Sequence, residues 1–143
     1  YMRYLSLDIG QRSIGIAVGE IIARELTTLK SPKGSSFYQQ PDEVLKQIKD
    51  LVVKEEADAV VVGMPITENG RLTKEAEQIK MFAQKLENYL DIQIHMVDET
   101  LTSFMAEDIL MNQGLTIGEA KIRVHQLSAK LILDQFLENH ETI

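Results

Sequence analysis

Four places in this sequence hold residues able to act on a phosphate or a metal ion. They are Asp8, the adjacent acids Asp98 and Glu99, His125, and a polar loop containing Thr67, Asn69 and Arg71. Asp8 closes an apolar stretch and is followed by Gly10, with Gly15 and Ala17 a few residues on. Small residues beside a carboxylate allow a phosphate-bearing ligand to come close to the backbone. Asp and Gly are equally the residues of an ordinary turn. Asp98 and Glu99 end another apolar run, where acids have no use in core packing; they either serve a site or cap a following helix. Side chains on a strand alternate between faces, so the two acids cannot be equally central.

His125 shares a helical face with Ala129, Ile132 and Phe136, so it is either a core histidine or a ligand brought in on a helix. His95 alternates with apolar strand residues and His140 lies near the end, so both carry less signal. In the loop, Thr67, Thr73 and the backbone N–H groups can meet a phosphate, and Arg71 and Lys74 add positive charge. The alternative is a plain surface loop turning at Asn69-Gly70. Lys121, Arg123 and Lys130 likewise read as a basic contact or as the solvated side of the last helix.

The elements that must position these residues follow from periodicity. Residues 3–9 alternate, with Leu5, Leu7 and Ile9 on one face and Tyr4, Ser6 and Asp8 on the other, which predicts a strand. Residues 10–13 form a turn into a second strand at 14–18, so the pair makes a hairpin. A third strand is expected at 24–29, and residues 31–41, rich in Ser, Gly and Pro, form a loop ending at a helix start, Pro41-Asp42. Val44, Leu45, Ile48, Leu51 and Val52 then recur at helical spacing. The run at 59–62 is a strand buried on both faces, and residues 63–73 are turn-rich. Thr73 caps a helix whose stripe is Ile79, Phe82, Ala83 and Leu86. A fifth strand is expected at 92–97, then helices over 103–112 and 118–138, the first of them closed by Gly114.

Three strands followed by helix, strand, helix, strand, helix, helix implies an α/β fold. Its five-stranded mixed sheet is antiparallel through the first three strands, then built by β-α-β crossovers, with helices on both faces. Active sites of such sheets gather at the carboxyl ends of the parallel strands.

The 143 residues suit one domain, placed at 2–139 with a tail at 140–143. Tyr1 ahead of Met2 reads as an addition, with the natural start at Met2. No run approaches the ~20 apolar residues of a membrane helix, and nothing resembles a signal peptide. The absence of cysteine excludes disulfides, thiolate metal sites and cysteine nucleophiles, and fits a cytoplasmic protein. A net charge of -7 argues against generic electrostatic binding of nucleic acid. Any such role needs local basic groups, or cations that neutralise an acidic site.

Taken together, LSLDIGQRSIGIAV, VVVGMPITENG, VDETLTS and HQLSAKLIL resemble the RNase H-like family of small bacterial Holliday-junction-resolvase homologues, described as pre-16S ribosomal RNA nucleases of the YqgF type. The resemblance spans almost the whole chain. It implies a metal-dependent nuclease that hydrolyses phosphodiester bonds with Mg²⁺ or Mn²⁺, two ions by the two-metal logic. Its function would be 5′-end processing of pre-16S rRNA in ribosome biogenesis. Its catalytic residues and metal ligands would be Asp8, Glu99 and His125. The family usually places aspartate where His125 stands, and commonly arginine where Thr100 stands. Gly10, Arg12, Thr67, Asn69 and Thr102, within these motifs, and Arg71, directly after one, become the candidate substrate contacts.

Two other functions remain open at this point. One is a resolvase of branched DNA, which would want a homodimer presenting two sites. The other is an RNA- or protein-binding domain with little catalysis, which His125, Thr100 and the acidic charge favour. Ribosome association accompanies the rRNA reading.

Overall fold

The computed structural model describes residues 1–65, 73–99 and 102–139, without the side chains of Thr102, Ser103 and Ile122. Three strands, β1 (Tyr4–Ile9), β2 (Ser13–Gly19) and β3 (Ala23–Lys30), form an antiparallel meander. The Gly10 amide donates to the Ser13 carbonyl at 2.9 Å and closes the first turn. Helix α1 (Asp42–Lys54) then carries the chain to β4 (Ala59–Pro65), which lies parallel to β1. Helix α2 (Lys74–Leu90) returns it to β5 (Ile94–Glu99), parallel to β4. Helices α3 (Thr102–Asn112) and α4 (Ile117–Asn139) follow. The sheet order β3-β2-β1-β4-β5 is the mixed five-stranded arrangement expected from the order of elements.

Alternation decides what each face buries. Leu5, Leu7, Val60 and Val62 pack with Val44, Ile48, Ile79, Phe82 and Leu86 beneath α1 and α2. On the other face, Val61 packs with Ile132, Leu133 and Phe136 of α4. Helix α3 has no sheet of its own to cover: Ala106 and Leu110 pack on Ala120, Val124 and Leu127 of α4. Helices therefore lie on both faces, and α4 is sandwiched between sheet and α3. Among the described residues no helix is long and apolar enough to cross a membrane.

The helix ends follow local chemistry. Thr73 Oγ1 accepts from the Ala76 amide at 3.1 Å, the cap expected of it. Gly114 has φ +83 just past α3, where only a residue without Cβ is at ease.

Two strands differ from the sequence reading by more than one residue at an end. Strand β4 continues through Gly63 to Pro65, and β5 is displaced to Ile94–Glu99, so Asp98 and Glu99 lie within the strand rather than after it. The reason is pairing: Met64 and Pro65 sit opposite Asp98 and Glu99 across the ladder, and these hydrogen bonds outweigh the local turn and cap propensities.

Candidate active site

Strands β1, β4 and β5 are parallel neighbours and end together, at Ile9, Pro65 and Glu99. Asp8 is the penultimate residue of β1. With Leu7 and Ile9 turned into the core beneath α1 and α2, Asp8 faces α4. Its side chain is only 13% exposed.

Two contacts fix α4 over this strand end. Ser6, two residues before Asp8 and on its face, is fully buried, and its Oγ donates to the Ala129 carbonyl at 2.7 Å. Gly15, directly across the ladder from Asp8, lies against the helix backbone: a Cβ there would stand 1.8 Å from the His125 carbonyl oxygen. One turn before Ala129, His125 is thereby set beside Asp8, with Nδ1 3.8 Å from Asp8 Oδ2. The His125 side chain is 37% exposed, so it is a site-edge residue rather than a core histidine.

Glu99 arrives from the other side. Gly63 of β4 is level with Asp8, since Leu7 pairs with Val62. A Cβ on Gly63 would meet Glu99 Oε2 at 2.7 Å and Ile132 Cδ1 at 2.6 Å. Glu99 thus lies over Gly63 on the α4 face, between β5 and the strand that bears Asp8. Asp98 points to the opposite face and is exposed. Alternation along β5 separates the two acids as expected, and assigns Glu99 to the face of Asp8.

The remaining candidates divide. Gly10 and Arg12 form the turn directly after β1; Arg12 is exposed and its carbonyl accepts from the Ser31 amide at 3.0 Å. Thr67, Asn69, Arg71 and Thr100 lie outside the described residues, and Thr102 is described only as the first residue of α3. Of the basic residues on α4, Arg123 pairs with Glu25 at 3.0 Å and Lys130 with Asp134 at 2.8 Å, so both are held in place by acids.

The donor set decides which ion could be held here. Among the described residues no three His, Asp or Glu side chains already close around one point. Two carboxylates and an imidazole nevertheless suit Mn²⁺, and the carboxylates suit Mg²⁺. Neighbouring ligands on one such ion stand roughly 3 Å apart. The 3.8 Å between Asp8 and His125 therefore needs a change well under the length of a bond, and that pair fits one ion.

Sequence reasoning missed two contributors. Gly63 was placed in a loop, although a glycine in a strand interior is the usual mark of a close approach. Tyr38 was hidden in a stretch of Ser, Gly and Pro. Its ring meets Phe82 edge-on at 6.5 Å, and its phenol is pushed up to about 12 by burial, by Glu75 and by Asp8.

Comparison with known proteins bears on the family and the fold. The family model described as "RuvX: Holliday junction resolvase" matches residues 2–139. A protein of Chloroflexus aurantiacus, provisionally named pre-16S rRNA nuclease, is 36% identical over 94% of this chain and 85% of its own length. One of Caldanaerobacter subterraneus with the same name is 32% identical, covering 98% of this chain and 99% of its own. Among solved structures, Thermus thermophilus RuvC in complex with a Holliday junction substrate superposes with a TM-score of 0.62 at 15% identity, over 99% of this chain and 98% of that one. At that identity the likeness speaks for the fold, which is RNase H-like. On the family match and the extent of these relatives, the chain belongs to the RuvX family.

Proposed function

We propose that this protein is a metal-dependent endonuclease that hydrolyses phosphodiester bonds in structured nucleic acid, with 5′-end processing of pre-16S rRNA as its task. The observation that carries the reading is the meeting of Asp8, His125 and Glu99 on one face of the sheet, where three parallel strands end. The names of the relatives support the choice of rRNA.

In this reading Asp8, Glu99 and His125 hold the divalent ions, Mg²⁺ or Mn²⁺, two for full activity. Bound ions supply a water of lowered pKa and offset the charge on the phosphate oxygens. The protein's own part is placement. Asp8 is held by the β1–β2 ladder and Glu99 by the β4–β5 ladder, so their separation is set by sheet geometry rather than by loops. His125 presents Nδ1 to Asp8 from the docked helix. The Gly10–Arg12 turn, Thr67, Asn69, Arg71 and Thr102 contact the substrate. The domain comprises residues 2–139, and its place is the cytoplasm, in transient association with the ribosome.

A panel of labelled substrates tests this: a pre-16S rRNA 5′ end, an unrelated structured RNA and a four-way DNA junction, each with Mg²⁺ and with Mn²⁺. Wild type is expected to cut the rRNA precursor, and Asp8→Asn to abolish cleavage with an unchanged circular dichroism spectrum. Wild-type turnover in Asp8→Asn would end the assignment. Preferential cutting of the junction would move the substrate to branched DNA, the reading that the family's description favours. That outcome should come with a homodimer in sedimentation.

A further inference from the structure

The Gly10–Arg12 turn does not stand alone at the edge of the sheet. Ser13, the first residue of β2, pairs across the ladder with Lys30, the last of β3. The Ser31 amide then donates to the Arg12 carbonyl at 3.0 Å, and the Phe37 amide to the Gln11 carbonyl at 2.9 Å. Phe37 is buried in the core and anchors the far end of the segment. Between these points the chain makes a tight turn, with Lys33 and Gly34 at its centre. The Ser35 amide donates to the Pro32 carbonyl at 3.0 Å, and Gly34 has φ +83. Ser31 Oγ donates to the Ser35 carbonyl at 2.8 Å, and Ser35 Oγ to the Pro32 carbonyl at 2.7 Å. The turn that carries Lys33 is thus fastened at both ends to the turn that follows Asp8.

Three cations of this assembly, Arg12, Lys30 and Lys33, are exposed. Of the four arginines among the described residues, Arg3, Arg24 and Arg123 are each bound to a glutamate, and Arg12 is bound to none. Lys30 shares a cavity with Asp42 and Glu43, yet neither it nor Lys33 forms an ion pair among the described residues. We propose that Arg12, Lys30 and Lys33 form a one-sided track for the sugar-phosphate backbone of the substrate, holding the strand on the β3 side of the phosphate over Asp8. The inference rests on the nuclease reading above and adds to it the direction in which the bound strand leaves the site.

The sheet supplies that direction. Asp8 pairs with Gly15 and Gly15 with Thr28, so the three strands lie side by side at the level of Asp8. Lys30 follows Thr28 by two residues and so starts on the same face. Two interstrand spacings come to about 10 Å, the rise of roughly three nucleotides. Lys30 is therefore placed for phosphates beside the scissile one, which itself falls to the cations of the metal site. Toward β5 the described residues at this edge present Asp98, an exposed acid. Contacts from lysine and arginine to phosphate fix the register of a strand without reading its sequence. The hydrogen bonds that shape the segment are in place before a ligand arrives, so binding has little order to impose.

The test is the double variant Lys30→Gln/Lys33→Gln, which removes two exposed charges and none of the hydrogen bonds that shape the segment. The Kd of the labelled best-cut substrate of the panel is measured by anisotropy in the Asp8→Asn background, between about 50 and 200 mM KCl. KM and kcat are measured with Asp8 intact. Lys80→Gln/Lys85→Gln on α2 is the control, removing the same charge from exposed positions along the body of a helix. Kd and KM should rise about fivefold at the lowest salt with kcat unchanged, and the salt slope should become shallower by about 1.5, as for two lost phosphate contacts. The control should leave all of these where they were. Trimming the substrate on one flank of the cut site should abolish the difference between double variant and wild type, and trimming the other should keep it. An unchanged slope with wild-type KM would overturn the proposal and leave the nuclease reading standing. An equal change in the control pair would overturn it as well, because charge at any position would then suffice, and a difference that survives both trims would refute the one-sided path. If wild type neither binds nor cuts any substrate, the nuclease reading falls and the track with it.

Discussion

Replacing Gly15 by alanine tests whether the docking of α4 is what creates the site. The added Cβ would stand 1.8 Å from the His125 carbonyl oxygen, 2.1 Å from its carbonyl carbon and 2.8 Å from the Gln126 nitrogen. All three are backbone atoms, so no rotamer change can relieve the overlap. A carbon and a carbonyl oxygen approach to roughly 3.3 Å at closest, which requires α4 to lift from β2 by about 1.5 Å at this turn. That movement stretches the 2.7 Å hydrogen bond from Ser6 to the Ala129 carbonyl and opens the contact between Asp8 and His125. Overpacking of this kind costs about 3 kcal/mol, the upper part of the usual range. For a protein of this size that corresponds to about 10 °C in thermal midpoint. A displacement beyond 1 Å in a reacting group costs on the order of a hundredfold in rate. Urea unfolding gives the stability change, and single-turnover cleavage below the shifted midpoint gives the rate. A loss under 1 kcal/mol with undiminished cleavage would refute the argument, since the helix would then tolerate the extra carbon without moving.

Two further substitutions separate the site from the fold. At Gly63→Ala the obstructing atoms are Ile132 Cδ1 and Glu99 Oε2, the ends of side chains that can swing aside. Stability should therefore fall by only about 1 kcal/mol, while displacement of Glu99 lowers cleavage and weakens Mn²⁺ binding in calorimetry; unchanged Mn²⁺ affinity would remove Glu99 from the metal site. His125→Asp substitutes an oxygen donor beside Asp8, so Mg²⁺-dependent cleavage should be kept or raised. A clear loss of Mg²⁺-dependent cleavage there would show that the imidazole has a role of its own.

Much of this site was legible in the sequence because it rests on period-two alternation. RYLSLDI carries its own face assignment, so Asp8 could be put opposite Leu7 and Ile9 before any partner strand was known. The caps at Thr73 and Gly114 were legible for another reason, being local chemistry. The end of β5 was not. Asp98 and Glu99 discourage a strand locally, and only pairing with Met64 and Pro65 extends the ladder through them. His125 could be placed on the sheet-facing stripe of a helix, but not opposite Asp8, because that contact spans more than a hundred residues and depends on how far α4 approaches. Tyr38 lay beyond local reading altogether. Its segment has the composition of a loop, and what holds it is a pair of backbone hydrogen bonds to the Gln11 and Arg12 carbonyls.

Helix α4 ties stability to chemistry more closely than the sheet does. Its buried stripe of Ala129, Ile132, Leu133 and Phe136 covers one face of the core, and the same docking sets His125 against Asp8. The approach depends on what is missing from the facing strands: no Cβ at Gly15 beneath His125, and none at Gly63 where Ile132 and Glu99 meet. A larger residue at either position would act first on a catalytic candidate and only through it on the core. Charge follows the same plan. Arg123 is bound to Glu25 and Lys130 to Asp134, so α4 offers nucleic acid little free positive charge from these residues. In a chain of net charge -7, the proposed reading assigns attraction of a phosphate to this edge to cations held at Asp8 and Glu99. Binding should accordingly depend on divalent ions more steeply than on monovalent salt, in contrast to a protein that binds through a basic surface.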